Sequence, residues 1–154
     1  DFLSLFGSSL IGRDGVPVNV QELKGKTIGL YFSAHWCQPC RSFTPQLASI
    51  YTGAVNANQP FEIIFVSADN DVEEFNSYFR SMPWKAIKYS DEDLRKQLNT
   101  MFSVSGIPTL VVVDANGQLL TDTGRADIAT VGDAAIAAWC QQSANSQQDG
   151  NSSH

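Results

Sequence analysis

Two cysteines lie three positions apart in the segment Trp36-Cys37-Gln38-Pro39-Cys40. An apolar strand is predicted over residues 27–34, directly before this segment, and a helix is predicted over residues 41–51, directly after it. At such a junction the first sulfur faces the unpaired N–H groups of the helix N-terminus, which favour its thiolate. The second sulfur, one turn further, can then attack a mixed disulfide and release the product. The spacing predicts thiol–disulfide exchange, with Cys37 as nucleophile and Cys40 as resolving cysteine.

A CxxC pair can also be half of a zinc site or a buried structural disulfide. Zinc in a structural site needs about four ligands. The other histidines and cysteines of the chain are His35, Cys140 and His154, at unsuitable spacings. We therefore favour redox catalysis over both alternatives and expect no metal site. Pro39 agrees with this interpretation because an early helical position has no N–H partner to lose.

The composition indicates one globular domain. The chain has 154 residues, of which 43% are hydrophobic, and this is enough for one substantial core. Sixteen acidic residues against ten basic ones give a net charge of −6 without a Lys/Arg cluster, so we expect no nucleic-acid partner. No apolar run approaches the roughly 20 residues that span a bilayer, so we expect no membrane insertion. A monomer is predicted.

The three cysteines are an odd number, which fits a working redox pair in a reducing compartment better than a secreted disulfide framework. A cytoplasmic or nuclear location is therefore predicted. For the third cysteine, Cys140, we favour a buried thiol on a helix face over a regulatory or intermolecular thiol.

The apolar pattern predicts an α/β domain whose central mixed sheet is flanked by helices. A continuous apolar strand over residues 61–67 should run parallel to the strand over 27–34. An antiparallel hairpin over 109–121 follows, with its turn at Asp114–Gly117. The remaining predicted elements are an accessory helix within residues 1–12, an edge strand at 16–20, an extended segment at 84–89, and helices over 71–82, 90–102 and 129–142. The single domain should span residues 1–143, with a disordered tail over 144–154.

The sequence from Gly29 to Leu47, which contains the CxxC segment, resembles the nucleoredoxin and tryparedoxin branch of the thioredoxin-like superfamily. Further matching stretches occur in the order that this branch shows: Phe61–Ser67, Ser81–Trp84, Gly106–Leu110 and Asp114–Gly117. The resemblance covers roughly residues 10 to 140. It implies a thioredoxin-like fold and protein-disulfide oxidoreductase activity.

The same resemblance implies the substrate-binding residues. In the family the proline that matches Pro108 is cis and faces the CxxC, and its preceding residue, here Ile107, offers backbone hydrogen bonds to a substrate chain. Trp36 corresponds to part of the partner-docking surface. The implied substrate-binding set is Trp36, Gln38, Pro39, Ile107, Pro108 and Arg125. For Arg125 an ordinary exposed cation is an equally good interpretation.

Two departures from many thioredoxins concern proton transfer and redox potential. Many relatives carry a buried acid on the central strand, whereas this chain has Tyr31 there, as the nucleoredoxin and tryparedoxin branch does. By its position in that branch, Asp69 is the carboxylate that best suits the role of proton acceptor for Cys40, although loop solvation is the simpler account. The dipeptide Gln38-Pro39 between the cysteines leaves the reduction potential open.

We therefore predict a thiol–disulfide oxidoreductase that needs no bound cofactor. Its expected partners are disulfide-containing proteins, thiol peroxidases among them, and an external reductant such as thioredoxin reductase, glutathione or a trypanothione-type dithiol. The alternatives are a redox-dependent client-binding module and an electron donor relaying to a separate thiol peroxidase. An intrinsic peroxidase is disfavoured because the chain lacks the cysteine context of peroxiredoxins and glutathione peroxidases.

Overall fold

A computed structural model describes the backbone of residues 1–152 and the side chains of residues 1–146. Its strands are β1 (Leu10–Ile11), β2 (Thr27–Ser33), β3 (Phe61–Ser67), β4 (Lys85–Ile87), β5 (Thr109–Val113) and β6 (Leu119–Thr121). Its α-helices are α1 (Phe2–Phe6), α2 (Gln38–Asn56), α3 (Val72–Phe79), α4 (Glu92–Met101), α5 (Gly124–Val131) and α6 (Asp133–Ser152). A 3-10 helix covers Val20–Leu23. No helix within residues 1–152 combines the length and hydropathy that crossing a membrane requires.

The strands form one sheet in the order β1-β4-β3-β2-β5-β6. The pairs β2–β3 and β3–β4 are parallel, whereas β1–β4, β2–β5 and β5–β6 are antiparallel. This arrangement is the predicted thioredoxin-like mixed sheet, with parallel core strands and an antiparallel C-terminal hairpin.

Two hydrophobic layers cover the two faces of the sheet, which explains why its central strands are apolar along their whole length. In β2, Tyr31 belongs to the layer of α2, α3 and α6, while Leu30 and Phe32 belong to the layer of α1 and α4. Each large side chain buried in this way contributes about 1.5–3 kcal/mol to stability. The sheet is therefore a rigid support for the loops at its ends.

The ends of three strands lie side by side at one end of the sheet and position the cysteine pair. Ser33, the last residue of β2, is paired with Ser67, the last residue of β3. Thr109, the first residue of β5, is paired with Phe32. The loops that follow β2 and β3 and the loop that precedes β5 are consequently neighbours.

The prediction of an edge strand at residues 16–20 is wrong. Pro17 forms only an isolated bridge with Ile11, and the edge strand is β1 instead. Pro17 has no N–H with which to continue a ladder. The preceding residues turn back on themselves, since the N–H of Gly12 donates to the carbonyl oxygen of Val16.

The C-terminal part also differs from the prediction. The closing helix predicted over 129–142 is divided at Gly132, which ends α5 with a φ of 61° that glycine adopts readily. Helix α6 then continues to Ser152, so residues 144–152 are helical where a disordered tail is predicted. Residues 153–154 of that tail lie outside the described residues, and the domain boundary at residue 143 stays a prediction.

Candidate active site

Cys37 is the N-cap residue of α2. Its sulfur accepts a hydrogen bond from the backbone N–H of Cys40, with an Sγ–N distance of 3.3 Å. Pro39 stands in the first turn, where its missing N–H costs no helical bond. Both cysteines are free thiols in this structure. Because N–H groups at a helix N-terminus stabilise negative charge on a neighbouring sulfur, this position suits an attacking thiolate.

Cys40 lies inside the first turn of α2 and is fully buried. Burial raises the pKa of its thiol from an ordinary value of 9.0 to about 11. The Cys37 sulfur also contributes to this increase, whereas the Ser33 hydroxyl acts in the opposite direction. Cys40 therefore remains protonated near neutral pH and must lose a proton before it can attack a disulfide.

A chain of buried hydroxyl groups lies behind Cys40. The Tyr78 hydroxyl oxygen is 2.7 Å from Ser33 Oγ and 2.6 Å from Thr44 Oγ1. The Tyr31 hydroxyl oxygen is 2.6 Å from the same Thr44 oxygen, and Thr44 also donates to the Cys40 carbonyl oxygen at 2.8 Å. Burial raises the pKa of both tyrosines, so the phenols stay neutral at physiological pH. The network joins β2, α2 and α3 beside the backbone of Cys40.

The Ile107–Pro108 segment lies on the other side of Cys37. Its peptide bond is cis. Pro108 is buried, and Ile107 packs against Ala34 and both cysteines. The carbonyl oxygen of Ile107 is 3.9 Å from Cys37 Sγ. Among the described residues, no backbone hydrogen bond uses the N–H of Ile107, so this main-chain donor is free.

The loop after β3 fixes the turn that precedes Cys37. Trp36 is 53% exposed, yet its Nε1 donates to the Ala68 carbonyl oxygen at 3.0 Å. Asp69 is buried and accepts from the backbone N–H of His35 at 2.7 Å through one carboxylate oxygen. Its other oxygen accepts from Ser67 Oγ at 2.7 Å. Between the described residues no hydrogen bond joins Asp69 to Cys40, so its role as proton acceptor stays a prediction.

Comparison with known proteins agrees with this geometry. A family model described as "Thioredoxin-like" matches residues 25–119. Nucleoredoxin of Mus musculus is 44% identical over 127 residues, which are 82% of this chain and 29% of that protein. Probable nucleoredoxin 1 of Arabidopsis thaliana is 50% identical over 115 residues, 75% of this chain and 20% of that protein. Tryparedoxin II complexed with glutathionylspermidine, a solved structure, has a TM-score of 0.81 at 35% identity, covering 87% of this chain and 95% of that one.

The chain belongs to the thioredoxin-like family, in its nucleoredoxin and tryparedoxin branch. Members of this branch are thioredoxin-like oxidoreductases, and such enzymes act on disulfide-containing substrates. The predicted family is thereby confirmed. The chain spans less than a third of the length of the two nucleoredoxins it matches.

The other predicted substrate-binding residues of this thioredoxin-like domain occupy two places. Gln38 and Pro39 are exposed on the first turn of α2. Arg125 is exposed on the first turn of α5, directly after Gly124, where a Cβ would stand 2.7 Å from the Leu110 carbonyl oxygen. That close approach places Arg125 near the start of β5. In the part of the chain that the structure describes, no ion pair or hydrogen bond joins its side chain to the cysteine segment, and its role stays a prediction.

The hydroxyl groups beside Cys40 are functional candidates that the sequence pattern does not reveal. In the sequence pattern, Tyr78 is one of the apolar positions of α3, and Ser33 is a residue near the end of a strand. Neither pattern indicates a hydrogen bond to the other. Thr44 carries the one signal that could have found the network. It lies four residues after Cys40, so on a helix it must stand next to that residue's carbonyl group.

Proposed function

We propose that this thioredoxin-like domain reduces disulfides in proteins through Cys37 and Cys40. The thiolate of Cys37 attacks one sulfur of the substrate disulfide, and the other substrate sulfur leaves as a thiolate. Cys40 then loses its proton and attacks Cys37, which gives a Cys37–Cys40 disulfide and releases the second substrate thiolate. The observation that carries this proposal is the position of Cys37 Sγ, which accepts the Cys40 N–H and lies beside the Ile107 main chain.

The second step requires deprotonation of the Cys40 thiol. A thiol with a pKa of about 11 is seldom ionised at pH 7, so attack requires a group that takes its proton as the bond forms. The Ser33 hydroxyl lowers the pKa of the Cys40 thiol and so favours its thiolate. The Tyr78 hydroxyl holds Ser33 through a hydrogen bond. We assign these hydroxyls the stabilisation of the Cys40 thiolate. The departing substrate thiolate next to the pair is the proposed proton acceptor.

The proposed substrates are protein disulfides that align with the free N–H of Ile107 and pack on the exposed Trp36 ring. A thiol peroxidase that is recycled through a disulfide fits the same requirements. The cycle closes when an external dithiol or a reductase supplies two electrons to the Cys37–Cys40 disulfide. The likeness to tryparedoxin II, whose structure contains glutathionylspermidine, supports a glutathione-derived dithiol as one candidate reductant. The cysteine usage supports a cytoplasmic or nuclear location.

The test is insulin reduction with thioredoxin reductase, glutathione or trypanothione supplied in parallel. We expect turnover with at least one donor and none after Cys37→Ser. The Cys40→Ser variant should accumulate a mixed disulfide between Cys37 and insulin, identified by mass spectrometry. If the parent binds oxidised clients but never releases them reduced, the domain is a redox-dependent binding module instead.

A further inference from the structure

The loop that fixes the turn before Cys37 is itself held by residues outside the active site. Tyr89, which follows β4, donates from its hydroxyl to the Asp69 carbonyl oxygen at 2.8 Å. Asp69 holds the His35 N–H, and the adjacent Ala68 carbonyl holds the Trp36 indole. One hydrogen bond from Tyr89 therefore reaches the backbone of the segment on which Trp36 depends.

Arg95 on α4 in turn holds Tyr89. Its guanidinium lies over the Tyr89 ring, 4.2 Å from the centroid, and its Nε donates to the Tyr89 carbonyl oxygen at 3.0 Å. Its Nη1 also donates to the carbonyl oxygen of Ser67, at 3.3 Å. Ser67 is the residue whose hydroxyl binds the Asp69 carboxylate. A single guanidinium thus connects β3, the segment after β4 and helix α4.

We propose that Arg95 and Tyr89 are positioning residues for disulfide exchange, which act by holding segment 67–69 and, through it, the Trp36 ring. This inference rests on the proposed function. Neither residue is hydrogen-bonded to Cys37 or Cys40 among the described side chains, so the effect passes through the Trp36 turn. Arginine suits the role because its planar donors can bind two carbonyls while its face covers a ring, a geometry that lysine lacks.

Two variants separate the parts of this arrangement. Tyr89→Phe removes the hydroxyl but keeps a ring against Arg95 and against Phe75, whose ring centroid is 5.5 Å away. We expect kcat/KM for insulin to fall about fivefold, the effect of losing one ordinary hydrogen bond, with KM carrying the change. Arg95→Gln, which removes the ring contact as well, should cost about tenfold, and Arg95→Lys should restore little of it.

The matched control is Lys96→Gln, the next position on the same helix, whose ammonium pairs with Glu92 on the exposed surface. Its kcat/KM should stay within about twofold of the parent, because exposed pairs contribute little. Reduction of 5,5′-dithiobis(2-nitrobenzoate), a small disulfide that needs little docking surface, should likewise remain close to the parent rate in all variants.

Iodide quenching of tryptophan fluorescence gives a readout that is independent of activity. Trp36 is the exposed indole, whereas Trp84 and Trp139 are 1% and 4% exposed, so the quenching constant reports the Trp36 environment. Tyr89→Phe and Arg95→Gln should raise this constant as the ring loosens. On a Trp36→Ala background, Arg95→Gln should cause no further loss of insulin kcat/KM.

The inference is overturned if both variants keep the parent quenching constant and the parent insulin KM. It is also overturned if Arg95→Gln costs the same factor with and without Trp36, because the two residues would then act independently. A parent protein that reduces neither insulin nor the small disulfide overturns the proposed function instead. In that case the quenching constants of the two variants still decide whether Arg95 and Tyr89 hold Trp36.

Discussion

The dipeptide Trp-Cys occurs twice in the chain, as Trp36-Cys37 and as Trp139-Cys140, and the fold uses the two copies differently. Cys37 and Cys140 are equally buried, each 7% exposed. Cys37 caps a helix and accepts an N–H, whereas Cys140 lies within α6 and has the Pro60 carbonyl oxygen 3.8 Å from its sulfur. Burial raises the pKa of the Cys140 thiol. Backbone donors, rather than exposure, therefore distinguish the thiol placed for attack.

The two tryptophans show the same contrast. Trp36 is half exposed and is held by a single hydrogen bond at its Nε1. Trp139 is buried, with its ring centroid 6.0 Å from that of Phe61. An indole at a loop apex provides contact surface, whereas an indole in the middle of an amphipathic helix provides core volume.

The largest difference should appear when each cysteine is replaced. Cys37→Ser removes the attacking sulfur, so we expect insulin reduction to fall to the assay background. Cys140→Ser should keep the parent kcat, because its thiol takes no part in exchange. Steady-state insulin reduction with a fixed reductant measures both. If Cys140→Ser lost activity while its folded fraction stayed unchanged, Cys37 and Cys140 would not differ in their role in the reaction.

The two tryptophans should differ in what their replacement changes: Trp139 should affect stability, and Trp36 should affect activity. Trp139→Ala removes a large core side chain and should cost about 3–5 kcal/mol of unfolding free energy. Trp36→Ala should change stability by about 0.5 kcal/mol or less, as exposed substitutions do, yet raise the KM for insulin. Denaturant titration and steady-state kinetics are the two measurements. Equal stability losses would mean that Trp36 is core.

The reaction chemistry could be predicted from the sequence because the CxxC pair, its helix and its strand are all local in the chain. The tertiary environment of Cys40 could not. Its raised pKa results mainly from burial in the folded core. Its hydroxyl neighbours include Tyr78, which reaches Ser33 and Thr44 only once α3 has packed on β2 and α2. Asp69 illustrates the same limit, since sequence position alone does not reveal that both its oxygens already hold the loop.

The predictions of the edge strand and of an undivided closing helix are wrong for a related reason. Alternating valines around Pro17 satisfy a strand pattern, but a proline cannot donate to a ladder, and the chain turns at Gly12 instead. The strand Leu10–Ile11 is too short to show any period. Gly132 interrupts a pattern that is otherwise continuous, so the division between α5 and α6 depends on one backbone angle.

Tyr78 and Tyr51 are buried tyrosines at opposite ends of the sheet, and only Tyr78 lies near the cysteine pair. Replacing each by phenylalanine distinguishes an effect on the reaction from an effect on stability. Tyr78→Phe removes the hydroxyl that contacts Ser33 and one of the three hydrogen-bond contacts of Thr44, and Tyr51→Phe removes a hydrogen bond of 2.7 Å to the buried carboxylate of Glu62. Each should lower the unfolding free energy by about 1–3 kcal/mol. Only Tyr78→Phe should also slow the attack of Cys40, measured by stopped flow as release of thionitrobenzoate from a Cys37 adduct. Equal slowing in both variants would show that the rate follows stability.

The smallest expected effect is a dependence of stability on alkaline pH. The pKa of Cys40 is raised from 9.0 to about 11, and burial also raises the pKa of Cys140. A raised pKa stabilises the folded state below the unfolded value, so this contribution is complete below pH 9 and is lost as the pH rises from 9 toward 11. Denaturant midpoints between pH 7 and 11 should fall less for the oxidised protein, in which Cys40 cannot ionise. Parallel curves for both redox forms would contradict the high pKa of Cys40.

The assignment of Cys37 as nucleophile is tested most directly by limited alkylation of the reduced protein with iodoacetamide at pH 7, followed by mass mapping. Cys37, at the helix N-terminus, should be modified first and almost completely before the other two thiols react. Cys40 and Cys140 should remain largely unmodified until the protein is unfolded, since both are buried with raised pKa values. Modification of Cys140 or Cys40 as fast as Cys37 would contradict the account.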